Sequence, residues 1–262
     1  TNNSNLLFNS NLLNENLNQN NQLIDQKMVF TNKLMSNKVL VFSARYINEK
    51  TPQNYSVNQF LFNDMFDVSA NNTKQNSQNK MQFAGFESHL LEKKKNGDLL
   101  ELKLGNQLKI DNLLTNFDIF NDEVLINSPV NFQNDISYVN NNLYLNVKYV
   151  FDFSFFKLNA QSDFHQLYNE LGIISEKSTN KPFFIIPKIG LEWEINSKNK
   201  LITSYSYNTT NPGVLDLYNG YVQTDFRNFE KGLNKLHLFS ENNLFLNYNF
   251  GSSTFFDDRT LS

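Results

Sequence analysis

Glu192 and Glu194 stand two residues apart in a stretch of alternating apolar residues, so a strand would carry both carboxylates on one face. Their Cα atoms would then lie about 6.6 Å apart, two rises of about 3.3 Å, a separation that suits the acid and base of a glycosidase. The same pair beside Lys188 equally suits the wall of a wet interior, where charges are tolerated. The histidines, His89, His165 and His237, fall in three different stretches, and no two have metal-ligand spacing. No Gly-x-Ser-x-Gly elbow and no phosphate-binding glycine loop is present. Zero cysteines removes thiol catalysis, disulfides and Cys-ligated zinc together. Asp216, Tyr218, Tyr221, Asp225, Arg227 and Glu230 gather in one late polar stretch. Such a loop suits ligand contact at a surface, or simple closure over the fold. No catalytic, cofactor or metal role is expected from these residues.

Composition points to the elements that must carry them. The chain of 262 residues has 46 Asn, 25 Phe and 11 Tyr, but only four Ala. Asn is a poor helix former, and aromatic residues fit pleated sheets, so an all-α fold is disfavoured. With Gly at 9, Pro at 5 and Cys at 0, collagen-like and disulfide-scaffold classes are disfavoured too. Net charge is −3, so no basic excess recruits nucleic acid. Lys93, Lys94 and Lys95 form the one basic run, beside a tight turn and without interleaved aromatics. No apolar run reaches the 18 residues or more that a membrane helix needs. A mean hydropathy of −0.49 does not exclude a membrane barrel, which is apolar at every second residue only.

Period two dominates the chain. Leu143, Leu145, Val147, Tyr149, Phe151, Phe153 and Phe155 alternate with Tyr144, Asn146, Lys148, Val150, Asp152 and Ser154. Pro187, Ile189, Leu191, Trp193 and Ile195 alternate with Lys188, Gly190, Glu192 and Glu194. Strands are expected over 23–35, 39–47, 80–91, 99–110, 135–150, 155–168, 183–195, 201–207 and 236–250. Residues 4–20 suit a further strand or an outer loop, and their leucines equally suit a weak helix. Short turns are expected at 36–38, 94–98, 152–154 and 196–200, with another beginning at 251–253; Asn96-Gly97 is a strong hairpin signal. Between the hairpins lie long polar connections, 48–79, 111–134, 169–181 and 208–235. Short turns at one end and long loops at the other are the layout of an outer-membrane barrel.

Residues 208–251, NTTNPGVLDLYNGYVQTDFRNFEKGLNKLHLFSENNLFLNYNFG, carry a resemblance. Tyr205 and Tyr207, then Pro212, Leu215 or Leu217, then Gly232-Leu233-Asn234-Lys235-Leu236, are similar to the late barrel segment of TonB-dependent-receptor-like outer-membrane proteins of the Bacteroidota. The Pro of the family's last element is absent here. The resemblance implies part of a barrel of about 22 strands, preceded in the family by a plug domain that engages the TonB complex. It implies uptake of a bulky nutrient or metal chelate, with outer-membrane lipid and a possible surface lipoprotein as partners.

The expected architecture is therefore an all-β, antiparallel, partial transmembrane barrel of nine or ten strands over 23–262, preceded by an Asn/Gln-rich segment over 1–22. Leu145, Val147, Leu191 and Trp193 are expected to face lipid, and Lys148, Lys188, Glu192 and Glu194 to line the lumen. Trp193, Tyr205, Tyr207, Tyr248 and Phe250 suit an interfacial girdle. The alternative is a soluble or surface-exposed β-sandwich that binds glycan or protein, because an antiparallel sandwich alternates as well.

Overall fold

A computed structural model describes residues 13–174, 176–233 and 235–251. Residues 1–12 of the expected Asn/Gln-rich segment, and all but Gly251 of the expected turn at 251–253, lie outside the described residues. The strands are β1 (Glu15–Gln19), β2 (Gln22–Met35), β3 (Lys38–Val57), β4 (Asn72–Lys93), β5 (Leu99–Asn121), β6 (Val124–Asn127) and β7 (Asn134–Asp152). They continue with β8 (Phe156–Ile173), β9 (Glu176–Asn180), β10 (Phe183–Asn196), β11 (Asn199–Thr210), β12 (Tyr221–Gln223), β13 (Phe229–Lys231) and β14 (Phe239–Phe250). A single helical turn, α1 (Val214–Leu217), and a 3-10 turn at Val130–Phe132 complete the list.

Twelve strands form one antiparallel sheet, ordered β1-β3-β4-β5-β7-β8-β10-β11-β14, with β2 also on β3, β6 on β5 and β9 on β8. Strands β12 and β13 pair only with each other. Strands β1 and β2 are two halves of one edge. Glu15–Gln19 lie against Val57 to Gln53 of β3, and Gln22 resumes in register opposite Lys50. The break at Asn20 and Asn21 falls beside Pro52, which has no N–H to donate.

The turns at one end are tight. Gly97 takes φ +97 in the turn between β4 and β5, and its N–H donates to Lys94 O at 3.1 Å. Only glycine enters that region without strain. Asp98 Oδ1 accepts the Asp152 N–H at 2.9 Å, and Asp98 Oδ2 accepts the Tyr149 hydroxyl at 2.8 Å. These donors hold the Asp98 carboxyl below the usual carboxylate range and tie this turn to the one after β7.

Three of the four long connections are shorter than expected. Strand β3 runs on to Val57 and β4 starts at Asn72, leaving residues 58–71 where a loop over 48–79 was expected. Strand β5 continues to Asn121 and β8 to Ile173, and β11 spans Asn199–Thr210. Strand β14 starts later than expected, at Phe239. The polar extensions read as loops because their apolar residues change face. In β5, Leu100, Leu102, Leu104, Leu108 and Ile110 share one face, with Glu101, Lys103, Gln107 and Lys109 on the other. Beyond Asp111 the polarity exchanges: Leu113, Phe117 and Ile119 sit on the charged side, and Asn112, Asn116 and Asp118 on the formerly apolar side. The same inversion occurs in β7, from exposed Leu143 and Leu145 to buried Ile136 and Tyr138, and in β8, from Phe164 to Leu167 and Leu171.

One face of the sheet thus carries an apolar band beside the tight turns, and this band is exposed: Met28 by 77%, Phe86 by 60%, Leu244 by 78%. Polar groups on it pair with each other, as in Asn106 Nδ2 to Asn141 Oδ1 at 2.7 Å and Tyr205 OH to Asn242 Oδ1 at 2.7 Å. The opposite, polar face is laced with ion pairs. Glu101 meets Lys103 at 3.0 Å and Lys148 at 3.5 Å, with the His89 ring 3.0 Å from the same carboxylate. Gly105 leaves room for the Tyr144 ring to lie across β5, where its hydroxyl donates to Glu87 Oε2 at 2.7 Å. A Cβ at Gly105 would stand 2.5 Å from that ring and 2.8 Å from Phe86 O.

Gly105→Ala is expected to destabilise by about 1–3 kcal/mol, the range for overpacking. In an unfolding titration, Gly105→Ala with Tyr144→Ala should cost less than the sum of the single changes. Strict additivity would show that the ring does not depend on this glycine.

Candidate functional site

The buried core lies on the polar face, at the end away from the tight turns. Two clusters fill it. Leu113, Ile136, Tyr138 and Leu171 of the sheet receive Val214 and Leu217 of α1. Phe117 and Ile119 of β5 receive Phe60 and Phe62 from residues 58–71, together with Phe132. Phe229 of β13 packs against this second cluster, its ring 5.2 Å from Phe117 and 4.8 Å from Phe132. Residues 211–233 and 235–238 are therefore laid down over the sheet as a cap.

Wall amides hold the cap. Gln223 N–H donates to Gln75 Oε1 at 2.6 Å, and Gln75 Nε2 returns a bond to Gln223 O at 2.8 Å. The Gln75 side chain thereby imitates a neighbouring strand. Gly220 N–H donates to Asn134 Oδ1 at 2.6 Å, while Asn134 Nδ2 donates to Thr115 Oγ1 at 2.7 Å. Gln75, Gln223, Asn134 and Thr115 are all buried, where an unmade hydrogen bond is costly.

Between cap and wall lies a cleft of about 370 Å³. Its wall is Thr51 and Gln53 of β3, Ser77 and Asn79 of β4, and Leu113 and Thr115 of β5. Its roof is Leu215, Tyr218, Val222 and Glu230. Burial pushes the Tyr218 phenol up, with the Glu230 and Asp216 charges adding to it. Asn79 Oδ1 is buried with no hydrogen-bond partner among the described residues. The lining offers hydroxyls, amides and one carboxylate, but no cation. Such groups hold a neutral polar molecule by hydrogen bonds, with the leucines and Tyr218 against its apolar parts.

Tyr218 is the member of the expected ligand set that lines this cleft, together with Glu230. Asp216 Oδ2 accepts the Gly213 N–H at 2.9 Å and shapes α1. Asp225 Oδ1 accepts the Arg227 N–H at 2.7 Å and the Asn228 N–H at 2.8 Å, which holds its carboxyl below the usual range. Arg227 stacks on Phe226 at 4.9 Å, and Tyr221 lies 5.1 Å from the Phe132 ring. These residues build the cap.

The expected lumen set does share the polar face. Lys148 joins Glu101, and Lys188 meets Asp163 at 3.5 Å. Glu192 pairs with Lys200 across β10 and β11. Glu194 stands nearer the tight turns, beside Asp152 and Lys157. Among the described residues no group of three His, Asp or Glu could hold a metal ion. The wall residues Thr51, Gln53, Ser77, Asn79 and Thr115 were hidden to sequence reasoning inside stretches read as loops. The signal that marks them is the exchange of apolar phase within one strand. No protein-family model matches the chain, and a search of the curated proteins finds no match.

Gln75→Ala should release the cap at a cost of about 1–3 kcal/mol, because it strands the Gln223 N–H and C=O. Amide exchange at Gln223 should accelerate about 5- to 150-fold, the same energy expressed as an opening equilibrium. Unchanged exchange at Gln223 would show that the aromatic cluster alone holds the cap.

Proposed function

We propose that this chain is part of the wall of an outer-membrane β-barrel, of the TonB-dependent-receptor-like kind, that takes up a bulky nutrient or metal chelate. The observation that carries the reading is the exposed apolar band running across nine neighbouring strands on one face, backed by a charged, hydrogen-bonded face. In water such a band is a liability. In a bilayer it is the required outer surface, since lipid-facing and lumen-facing residues alternate along each strand.

The dimensions support the same reading. From Leu100 to Ile110 is ten rises of about 3.3 Å, or about 33 Å of strand. At a tilt of about 40° this spans about 25 Å, the height of a barrel's apolar band. Trp193, Tyr248 and Phe250 stand on the band near the tight turns, where an interfacial girdle belongs, while Tyr205 and Tyr207 lie farther along β11. The long connections and the cap would then lie outside the cell, with the tight turns in the periplasm.

In the β-sandwich alternative, a second layer would cover the apolar face. The segments that do cover the sheet lie on the polar face instead. The barrel reading also fixes a parity. Strands β2 and β14 are separated by eight antiparallel steps and so run in the same direction. An all-antiparallel barrel has an even strand number, so an odd number of further strands must join these edges. Left open in lipid, the edges would cost several kcal/mol per unpaired group. Under this reading the cleft beneath the cap is where cargo first meets the wall, and no catalysis is involved.

Leu145→Lys, near the middle of the band, should cost about 2–4 kcal/mol in a membrane refolding titration, and Gln107→Lys on the polar face far less. Equal penalties on both faces would refute the barrel. On intact cells, a membrane-impermeant thiol reagent should label Val130→Cys and leave Ser197→Cys untouched. The reverse pattern would invert the topology.

A further inference from the structure

Lys50 of β3 and Lys80 of β4 are direct cross-strand partners. Both belong to the face that carries the apolar band, two rows beyond Tyr46 and Ala84, whose own partners are each other. Side chains directly opposite in an antiparallel pair have Cβ atoms about 4.5–5.5 Å apart, and like charges so placed repel. On the opposite, polar face five lysines are neutralised: Lys103 and Lys148 share Glu101, Lys109 meets Asp111, Lys188 meets Asp163 and Lys200 meets Glu192. Lys50 and Lys80 have no ion pair among the described residues. Their neighbours on this face are neutral amides. Gln22 faces Lys50 from β2, Asn112 faces Lys80 from β5, and Asn48 pairs with Gln82 one row nearer the band. The nearby carboxylates, Glu49 and Asp111, belong to the opposite face by alternation.

We propose that Lys50 and Lys80, framed by Gln22 and Asn112, bind the phosphate of an anionic lipid headgroup at the outer boundary of the membrane. The inference rests on the barrel reading above. From Leu40 to Lys50 is ten rises, the strand length that crosses the hydrocarbon at barrel tilt. The two ammonium groups therefore stand at headgroup depth, pointing to the side where the acyl chains lie. One phosphate between them converts a repulsive pair into a bridged one, with flanking amide N–H groups donating to its remaining oxygens. A lipid supplies that phosphate from the bilayer itself, already at the right height.

The pair makes a prediction of opposite sign in two bilayers. The full-length protein is inserted into vesicles of phosphatidylcholine alone, whose phosphate is already neutralised by its own choline ammonium, and into the same vesicles doped with anionic phosphatidic acid, and its urea midpoint is measured in each. Lys80→Gln should raise the midpoint in phosphatidylcholine, where it relieves repulsion, and lower it in the doped vesicles, where it removes half of the site. Lys50→Gln should do the same. Lys95→Gln, in a tight turn at the other end of the strands, should shift both midpoints in one direction and serves as the control for general surface charge. A shift of the same sign in both bilayers for Lys80→Gln overturns the site. A reversal by Lys95→Gln of equal size overturns it too. Reversal in pure phosphatidylcholine on adding inorganic phosphate would overturn the lipid as occupant in favour of a soluble phosphate. Insertion is read separately, by quenching of Trp193 with brominated lipid. Quenching without the sign reversal rejects the lipid site alone, and absence of quenching rejects the barrel reading with it.

Discussion

A strand offers its side chains only two faces, and the rest of this structure follows from that limit. Where both faces keep one environment along the whole strand, one alternation suffices. Here the environments change partway along. Near the tight turns the apolar residues stand on the uncovered face. Farther on, they must stand on the face that receives the cap. A strand cannot rotate its face without breaking its ladder, so the residue pattern shifts by one position instead. In β5 the shift falls around Asp111, with Ile110 on one face and Leu113 on the other.

The shift explains why cap and wall form one unit. Leu113, Phe117 and Ile119 would be misplaced apolar groups on a polar face if nothing covered them. Val214 and Leu217 of α1 cover Leu113, while the phenylalanines of residues 58–71 and of β13 cover Phe117 and Ile119. Hydrogen bonds then fix its register, because Gln75 and Asn134 reach backbone groups that no strand pairs. Burial of apolar area favours the cap's presence, while the amides decide its position. The cleft is what remains between them, lined by wall hydroxyls and amides that face neither the aromatic cluster nor the ion pairs.

On the polar face below the cap, charge is tolerated because it is shared. Glu101 serves Lys103 on its own strand and Lys148 on the next. Tyr144 crosses β5 at Gly105 to reach Glu87, so a missing side chain on one strand becomes the seat of a ring from the next. These contacts couple neighbouring strands through side chains as well as backbone, and they leave the apolar face with little polar business of its own.

The sequence by itself determined the strand character, the antiparallel hairpins and the assignment of residues to faces. Those depend on period two and on turn chemistry, which are local. Leu145 and Val147 could be placed opposite Asn146 and Lys148 without coordinates, and Asn96-Gly97 could be read as a turn. The ends of the strands could not be read. Residues 72–79 are rich in Asn and Gln, and residues 111–121 in Asn and Asp, and such stretches resemble loops unless the face each residue meets is known. Only the tertiary structure decided that they are strands, because their regularity comes from a neighbouring ladder and from a cap contributed by residues more than a hundred positions away. It also decided the roles in the late loop, where Asp216 and Asp225 spend their carboxylates on nearby N–H groups while Tyr218 and Glu230 are left over a cleft. Charge and hydroxyl content are written in the chain, but which of those groups remain free is settled only once each has met the partners that folding brings to it.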